Sequence, residues 1–190
     1  MVKAMDQQEL IRRVRALDIN DCFEVARVNV TSYLESDKRS PRPEQTNYDI
    51  DRHLSCNVGR WRRALQEASD PDGGDKFLGV DHDSDQGLSG YIQFGKNRKT
   101  PTDAEIHSLY VDPLSWGNGV GRALFSKAVQ NLKEEGYNRL TVKTLRDDPI
   151  PNNFYRKMGF DLTAIFKRIE GTRIVEYEMD LGKQGVALEL

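Results

Sequence analysis

The chain lacks most of what would assign it at a glance. Its 190 residues include two cysteines, Cys22 and Cys56, far apart and without CxxC spacing. That argues against a thiol metal site and gives no disulfide framework, leaving at most one bridge open. No apolar run near the N-terminus reaches signal-peptide length, and nothing later approaches the ~18 residues of a membrane span. No charge sign dominates: 28 basic against 30 acidic side chains give a formal net charge of −2, too little to draw the chain to nucleic acid or anionic lipid. Any anion site is therefore local. There is no internal repeat. What these absences leave is one domain over residues 1–190, large enough for a hydrophobic core and expected in a reducing cytoplasm.

What is present concentrates between Ala104 and Phe125, AEIHSLYVDPLSWGNGVGRALF. A strand pattern runs into a glycine-rich turn and then into an amphipathic helix. Gly117, Gly119 and Gly121 alternate along the turn, so the backbone is expected to take positive φ there and to approach a ligand with no Cβ in the way. Free N–H groups of the turn, with those of the helix's first turn, favour phosphate oxygens. The spacing is not that of a P-loop, since Gly121 is followed by Arg122 and Ala123. It does not fit a Rossmann turn either.

The rest of the chain reads as alternating elements. A short strand is expected at Val14–Leu17, then a helix from about Asp21 to Leu34, capped by Asp18 or Asn20, with Phe23, Ala26, Val30 and Tyr33 as its apolar stripe. Ser40-Pro41-Arg42-Pro43 breaks the pattern, a second helical region follows between Glu44 and Ala68, and Pro71 to Asp75 marks a turn. Lys76–His82 and Leu88–Lys96 read as a hairpin joined by residues 83–87. In the strand Ala104–Asp112 the alternation breaks, because Ile106 and Leu109 are both apolar at opposite parity; one extra residue, a β-bulge, repairs the register. Val120–Glu135 is a helix with Leu124, Phe125, Ala128, Val129 and Leu132 on one face, ended by Gly136. A strand at Leu140–Leu145, a short helix carrying Phe154 to Met158, and strands Leu162–Ile169 and Arg173–Leu181 around a Glu170-Gly171-Thr172 turn complete the order, with 185–190 as a frayed tail. The fold class is α/β, a mixed central sheet flanked by helices on both faces.

The loop Trp116-Gly117-Asn118-Gly119-Val120-Gly121, preceded by Leu109-Tyr110-Val111-Asp112-Pro113, resembles the Gln/Arg-x-x-Gly-x-Gly/Ala loop of the GCN5-related N-acetyltransferases (GNAT). Asn153-Phe154-Tyr155-Arg156-Lys157-Met158-Gly159-Phe160 is similar to that family's late FYxxxGF element. The two motifs stand in the family's order, and the resemblance extends loosely from Val14 to Leu181. It implies a single-domain GNAT fold with acetyl-CoA as co-substrate and no metal. It also implies an amine acceptor, either a small molecule or a peptide N-terminus or lysine, and a protein that is a monomer or homodimer. By the same resemblance the loop from Trp116 to Gly121, with Arg122 and Asn153, grips the pyrophosphate, and backbone groups of Leu109, Tyr110 and Val111 meet the acyl carbonyl and pantetheine arm.

Two positions depart from the family pattern. Trp116 stands where Arg or Gln is usual; an indole has one N–H and no charge, so it either covers the pantetheine or packs against the fold, and Arg122 or another base supplies the charge. Asp148 stands where Asn is common, with Pro151 where Ala is. A carboxylate beside pyrophosphate is unfavourable, so Asp148 is expected to turn away, with Asn152 or Asn153 as substitutes. The charge run Lys96, Arg98 and Lys99 reads as a solvated loop.

Acetyl transfer to an amine requires that the ammonium lose a proton, that the oxyanion be stabilised and that the departing thiolate be met by a donor. Glu105 and His107, two apart on one strand face, are the candidate bases. The family favours a carboxylate on this strand; the plain alternatives are a Glu105 paired with a lysine and a structurally satisfied His107. Tyr155 is the candidate acid, its phenol of pKa about 10 facing a thiolate whose conjugate acid lies near about 8.5, the alternative being a core aromatic. With no cysteine in the motifs, the expected reaction is direct attack in a ternary complex. The rival is a non-catalytic acyl-CoA-binding regulatory or sensor module, which Trp116 and Asp148 keep open and which Tyr155 together with Glu105 disfavours.

Overall fold

The computed structural model describes residues 6–39, 50–69, 74–82, 87–169 and 172–182. Among them one seven-stranded sheet is formed by β1 (Val14–Ala16), β2 (Asp75–Asp81), β3 (Leu88–Lys96), β4 (Ala104–Val111), β5 (Arg139–Leu145), β6 (Asp161–Ile169) and β7 (Thr172–Asp180), in the spatial order β1-β2-β3-β4-β5-β7-β6. Only β4 and β5 run parallel; every other neighbouring pair is antiparallel. The helices are α1 (Gln7–Arg12), α2 (Cys22–Arg39), α3 (Ile50–Ala68), α4 (Val120–Glu134) and α5 (Pro149–Lys157).

Alternation along the strands divides the core between two faces. Leu78, Val80, Ile92 and Phe94 pack with Leu124, Phe125, Val129 and Leu132 of α4, whereas Phe77 and Tyr91, of opposite parity, pack with Val25 and Ala26 of α2 and Trp61 and Leu65 of α3. The stripe of α4 is buried as its spacing predicts, and the helix stops where Gly136 takes φ +85 and Tyr137 N–H donates to Leu132 O at 3.0 Å.

Three expectations need correction. Phe23 is 51% exposed, because Cys22, Val25 and Ala26 take the inward positions of the first turns and rotate Phe23 to the outside. The helix itself runs on to Arg39, past the expected end at Leu34. The sequence reading also contained no helix before β1, yet α1 forms, with Asp6 capping Gln8 N–H at 3.3 Å and Leu10 only 1% exposed against the α4 cluster. At the start of α2, Asp18 accepts from Asn20 N–H at 2.7 Å while Asp21 accepts from Asp18 N–H at 2.9 Å.

The breaker at 40–43, residues 70–73 of the expected turn, the hairpin connection at 83–86, the 170–171 turn and the 185–190 tail lie outside the described residues. Cys22 and Cys56 are both free thiols, the first buried and the second exposed. Among the described residues no helix is long and apolar enough to cross a membrane.

Candidate active site

The glycine turn begins where Asp112 caps a 3-10 turn at Pro113–Ser115, accepting from Leu114 N–H at 3.0 Å. Gly117 and Gly119 then take φ of +79 and +83, the left-handed region that favours glycine. Gly119 is the N-cap of α4 and supplies no side-chain cap, so the helix enters with N–H groups open. A Cβ on Gly119 would stand 2.7 Å from Gln7 Oε1, and Gln7 Nε2 donates to Gly119 O at 3.5 Å, so α1 lies directly on the turn.

Gly121 corrects the sequence reading. It lies inside α4 without positive φ, and an added Cβ would stand 3.5 Å from both the Phe154 ring and Val111 Cγ2, an ordinary packing distance. The two motifs recognised in the sequence therefore meet at this residue. Val120 is buried and Asn118 exposed, the latter's N–H donating to Ser115 O at 3.4 Å. Arg122, half-buried in the first turn of α4, makes no ion pair among the described residues. A cation there opposes the helix dipole, and a bound anion removes the conflict.

Both departures from the family pattern have structural explanations. Trp116 Nε1 donates to Val111 O at 2.7 Å, so its single donor is engaged within the fold and ties the turn to β4. Asp148 caps α5, accepting from Ile150 N–H at 3.1 Å and from Ser36 Oγ at 2.5 Å. Asn152 is no substitute ligand: its Nδ2 donates to Leu145 O at 2.7 Å and also to Asp148 O, and its Oδ1 accepts from Tyr177 OH at 2.8 Å. Asn153, one residue on, is exposed.

The expected bulge is present. Phe94 pairs with Ile106 and Gln93 with Ser108, which leaves His107 as the additional residue on β4. At the same point β4 loses its other neighbour: β5 pairs with Ala104, Glu105 and Ile106 and then, from Lys143 onward, only with β7. Leu109, Tyr110 and Val111 thus continue along β4 with β3 on one side and a gap on the other. The Val111 carbonyl in this stretch is already engaged, since Ser32 Oγ donates to it at 2.8 Å in addition to Trp116.

Glu105, His107, Ser108 and Tyr110 line one open cleft of about 550 Å³ between β3–β4 and the α2–α3 pair. Lys143 Nζ donates to Glu105 Oε1 at 2.7 Å and stands 3.4 Å from Glu176 Oε2, so the Glu105 carboxylate already has a cation. His107 has a different partner. Its Nε2 lies 3.1 Å from Asp75 Oδ1, as a charge contact that is off the line of an aligned hydrogen bond. Asp75 Oδ2 accepts from Gln93 Nε2 at 2.9 Å and faces Arg98 Nη2 at 3.3 Å, while Ser108 Oγ donates to Gln93 Oε1 at 3.2 Å. Burial pushes the Asp75 carboxyl up, but the close contact and charge of His107, then the Gln93 hydrogen bond and Arg98, bring it below its ordinary value.

Tyr155 is 5% exposed, its ring set against Phe154, Phe160 and Tyr177 at centroid distances of 5.3, 5.5 and 6.3 Å. Burial first, and Tyr110 second, push its pKa above the ordinary phenol value, so the hydroxyl is a donor at all physiological pH.

A family model described as the acetyltransferase (GNAT) family matches residues 29–160, from α2 through the Phe154–Phe160 segment. The chain belongs to this family. The GNAT fold recurs in a protein of that family from Desulfovibrio desulfuricans, 21% identical with a TM-score of 0.66 over 88% of this chain and 98% of that one. It recurs in the PaiA N-acetyltransferase of Thermoplasma acidophilum, solved with coenzyme A, 22% identical with a TM-score of 0.67 over 86% and 96%. The yncA protein of Salmonella typhimurium, solved with acetyl-CoA, is 18% identical with a TM-score of 0.59 over 91% and 95%. An uncharacterized N-acetyltransferase of Methanocaldococcus jannaschii is 33% identical over 64 residues, 34% of this chain and 28% of that relative's length.

Within this GNAT domain, sequence reasoning missed Asp75, taken as the end of a turn, and Gln7. Gln93 was missed as well; its signal is a polar side chain in the apolar strand Leu88–Lys96, where the structure leaves it 9% exposed.

Proposed function

We propose that the chain is an acetyl-CoA-dependent N-acetyltransferase that moves an acetyl group to an amine by direct attack, with both substrates bound together. The observation that carries this reading is the parting of β4 from β5 at the His107 bulge. Along that one strand, Tyr110 borders the cleft and Val111 abuts the first turn of α4 at Gly121, so a thioester held along the gap has an amine site on one side and an anion cradle on the other.

The residues fit such a substrate. Gly117 and Gly119 present backbone without Cβ, the first turn of α4 presents N–H groups, and Arg122 adds an unpaired guanidinium, which together suit a pyrophosphate. The open edge of Leu109, Tyr110 and Val111 suits the amide-bearing pantetheine arm. When bound, acetyl-CoA supplies an activated thioester carbonyl. His107, backed by the Asp75 carboxylate, accepts the proton released as the amine nitrogen bonds the acetyl carbon and the C–S bond breaks with its electrons on sulfur. Tyr155 donates a hydrogen bond to that sulfur. Glu105, held by Lys143, is the weaker base of the two, because abstracting a proton would cost it that ion pair.

The test is release of free thiol from acetyl-CoA in the presence of a mixed panel of amines and peptides. Amine-dependent release is expected. Tight acetyl-CoA binding with no release under any acceptor would make the chain an acyl-CoA-binding module instead.

A further inference from the structure

The cleft beside His107 is unevenly furnished. His53, Asn57, Arg60 and Trp61 of α3 recur at i, i+4, i+7 and i+8, a spacing that puts one helix face along it. Arg98 is answered by Asp75 at 3.3 Å and Glu105 by Lys143 at 2.7 Å. Arg60 has no carboxylate partner among the described residues, and its guanidinium rests 5.1 Å from the centroid of the Trp61 ring.

Unpaired donors gather at the same place. Trp61 is 2% exposed, and its Nε1 is buried without a hydrogen-bond partner; an indole nitrogen donates only. Tyr91, set edge-on to Trp61 at 5.4 Å, has its hydroxyl buried beside Ser108 and Asn29 without an aligned bond to either. Burial first, and Tyr110 second, push that phenol's pKa well up, so it too is a donor. Among the described residues, the buried side-chain polar atoms lacking a hydrogen bond are these two and His107 Nε2. All three belong to this cleft or its wall.

A guanidinium over an indole ring whose N–H is itself unmatched calls for a group rich in acceptors and poor in donors. Resting on the acetyl-transfer reading above, we propose that the acceptor amine carries an anionic oxygen group, in the first instance a carboxylate, held by Arg60 and Trp61 while the amine faces His107. A free amino acid has this chemistry. A diamine sets a second cation against Arg60, and a neutral amide leaves the guanidinium unanswered. The reaction is unchanged: the amine nitrogen forms the C–N bond, the C–S bond breaks, and the amine proton goes to His107.

The experiment compares free L-α-amino acids with their carboxamides and their decarboxylated amines, following N-acetyl products by mass spectrometry and free thiol together, for wild type and Arg60→Gln. We expect kcat/KM for the preferred amino acid to exceed that of its amide by about 10-fold or more, mostly through KM, and this ratio to fall toward unity in Arg60→Gln. Amides or decarboxylated amines acetylated as well as the acids would overturn the carboxylate inference and leave acetyl transfer standing. Acetyl-CoA binding without acetylation of any compound would overturn both. Arg60 is exposed on α3, so the variant is expected to fold, and the wild-type comparison decides the question without it.

Discussion

Asp75 Oδ1 lies 3.1 Å from His107 Nε2, a contact that joins the first residue of β2 to the bulged residue of β4 across the intervening strand. The bulge presents His107 to the cleft, and Asp75, tied in turn to Gln93 and Arg98, fixes its ring from behind. Asp75→Asn is expected to lower kcat by about 10-fold while leaving acetyl-CoA affinity within about 2-fold, since the change acts through His107 and not on the cradle. Equal losses in kcat and in acetyl-CoA binding would make Asp75 a general structural residue.

The same carboxyl sets a pH dependence of stability. Burial raises its pKa, yet the contacts with His107, Gln93 and Arg98 leave it below the ordinary value. A lowered folded pKa means that Asp75 stabilises the fold above its unfolded pKa and loses that contribution as pH falls through the folded one. The gap in Tm between wild type and Asp75→Asn should therefore be full above about pH 5 and narrow progressively as pH falls below the ordinary carboxylate value of about 4. Thermal unfolding at constant ionic strength measures it, and a gap unchanged across this range contradicts the assignment.

Gly119 and Gly136 both have positive φ, but a Cβ on Gly119 meets Gln7 whereas Gly136 has nothing within 4 Å. Alanine at either should cost about 1 kcal/mol of stability from backbone strain. Only Gly119→Ala should weaken acetyl-CoA, by about 10-fold or more, because only that glycine lies in the proposed anion cradle. Calorimetric titration of both folded variants distinguishes them, and equal affinities would remove the turn from the binding account.

Trp116→Phe keeps a ring at the turn and deletes the donor to Val111 O. The expected loss is about 1 kcal/mol in chemical denaturation, with acetyl-CoA affinity changed by less than about 2-fold. A large affinity loss at unchanged stability would mean that the indole serves the ligand after all.

Tyr155→Phe retains the packing against Phe154, Phe160 and Tyr177 and deletes the donor. Turnover should fall by about 10-fold or more. Because burial and then Tyr110 hold the phenol protonated beyond its ordinary range, wild type should show no limb below about pH 10 that this variant removes. An unchanged rate where chemistry is limiting returns Tyr155 to the core.

Local pattern made much of this legible. The parity break between Ile106 and Leu109 located the bulge to within a residue, because a strand's period of two leaves no other way to bury both side chains. The α4 stripe and its terminal glycine were equally explicit. What stayed hidden depends on distant parts of the chain. Gly121 reads as a turn glycine in sequence, yet it lies inside α4 without positive φ, beside Phe154, 33 positions on. Trp116 left two readings open, and its bond to Val111 O, five positions back on β4, supports the packing one. Lys143 reaches Glu105 only because β5 lies beside β4 in parallel register, and Asp75 reaches His107 only across β3. Charge partners set by sheet order leave no trace in local spacing, which is why the sequence favoured Glu105 as base and the mechanism proposed above assigns the proton to His107.

The decisive comparison is a pair of pH–rate profiles for His107→Gln and Glu105→Gln with a single acceptor amine. With His107 as the base, its variant should lose about 10²-fold in kcat/KM near neutrality, the defect shrinking at high pH where the amine sheds its own proton, while Glu105→Gln loses less than about 5-fold. A large loss confined to Glu105→Gln would return the proton to the carboxylate and leave the contact between Asp75 and His107 a structural one.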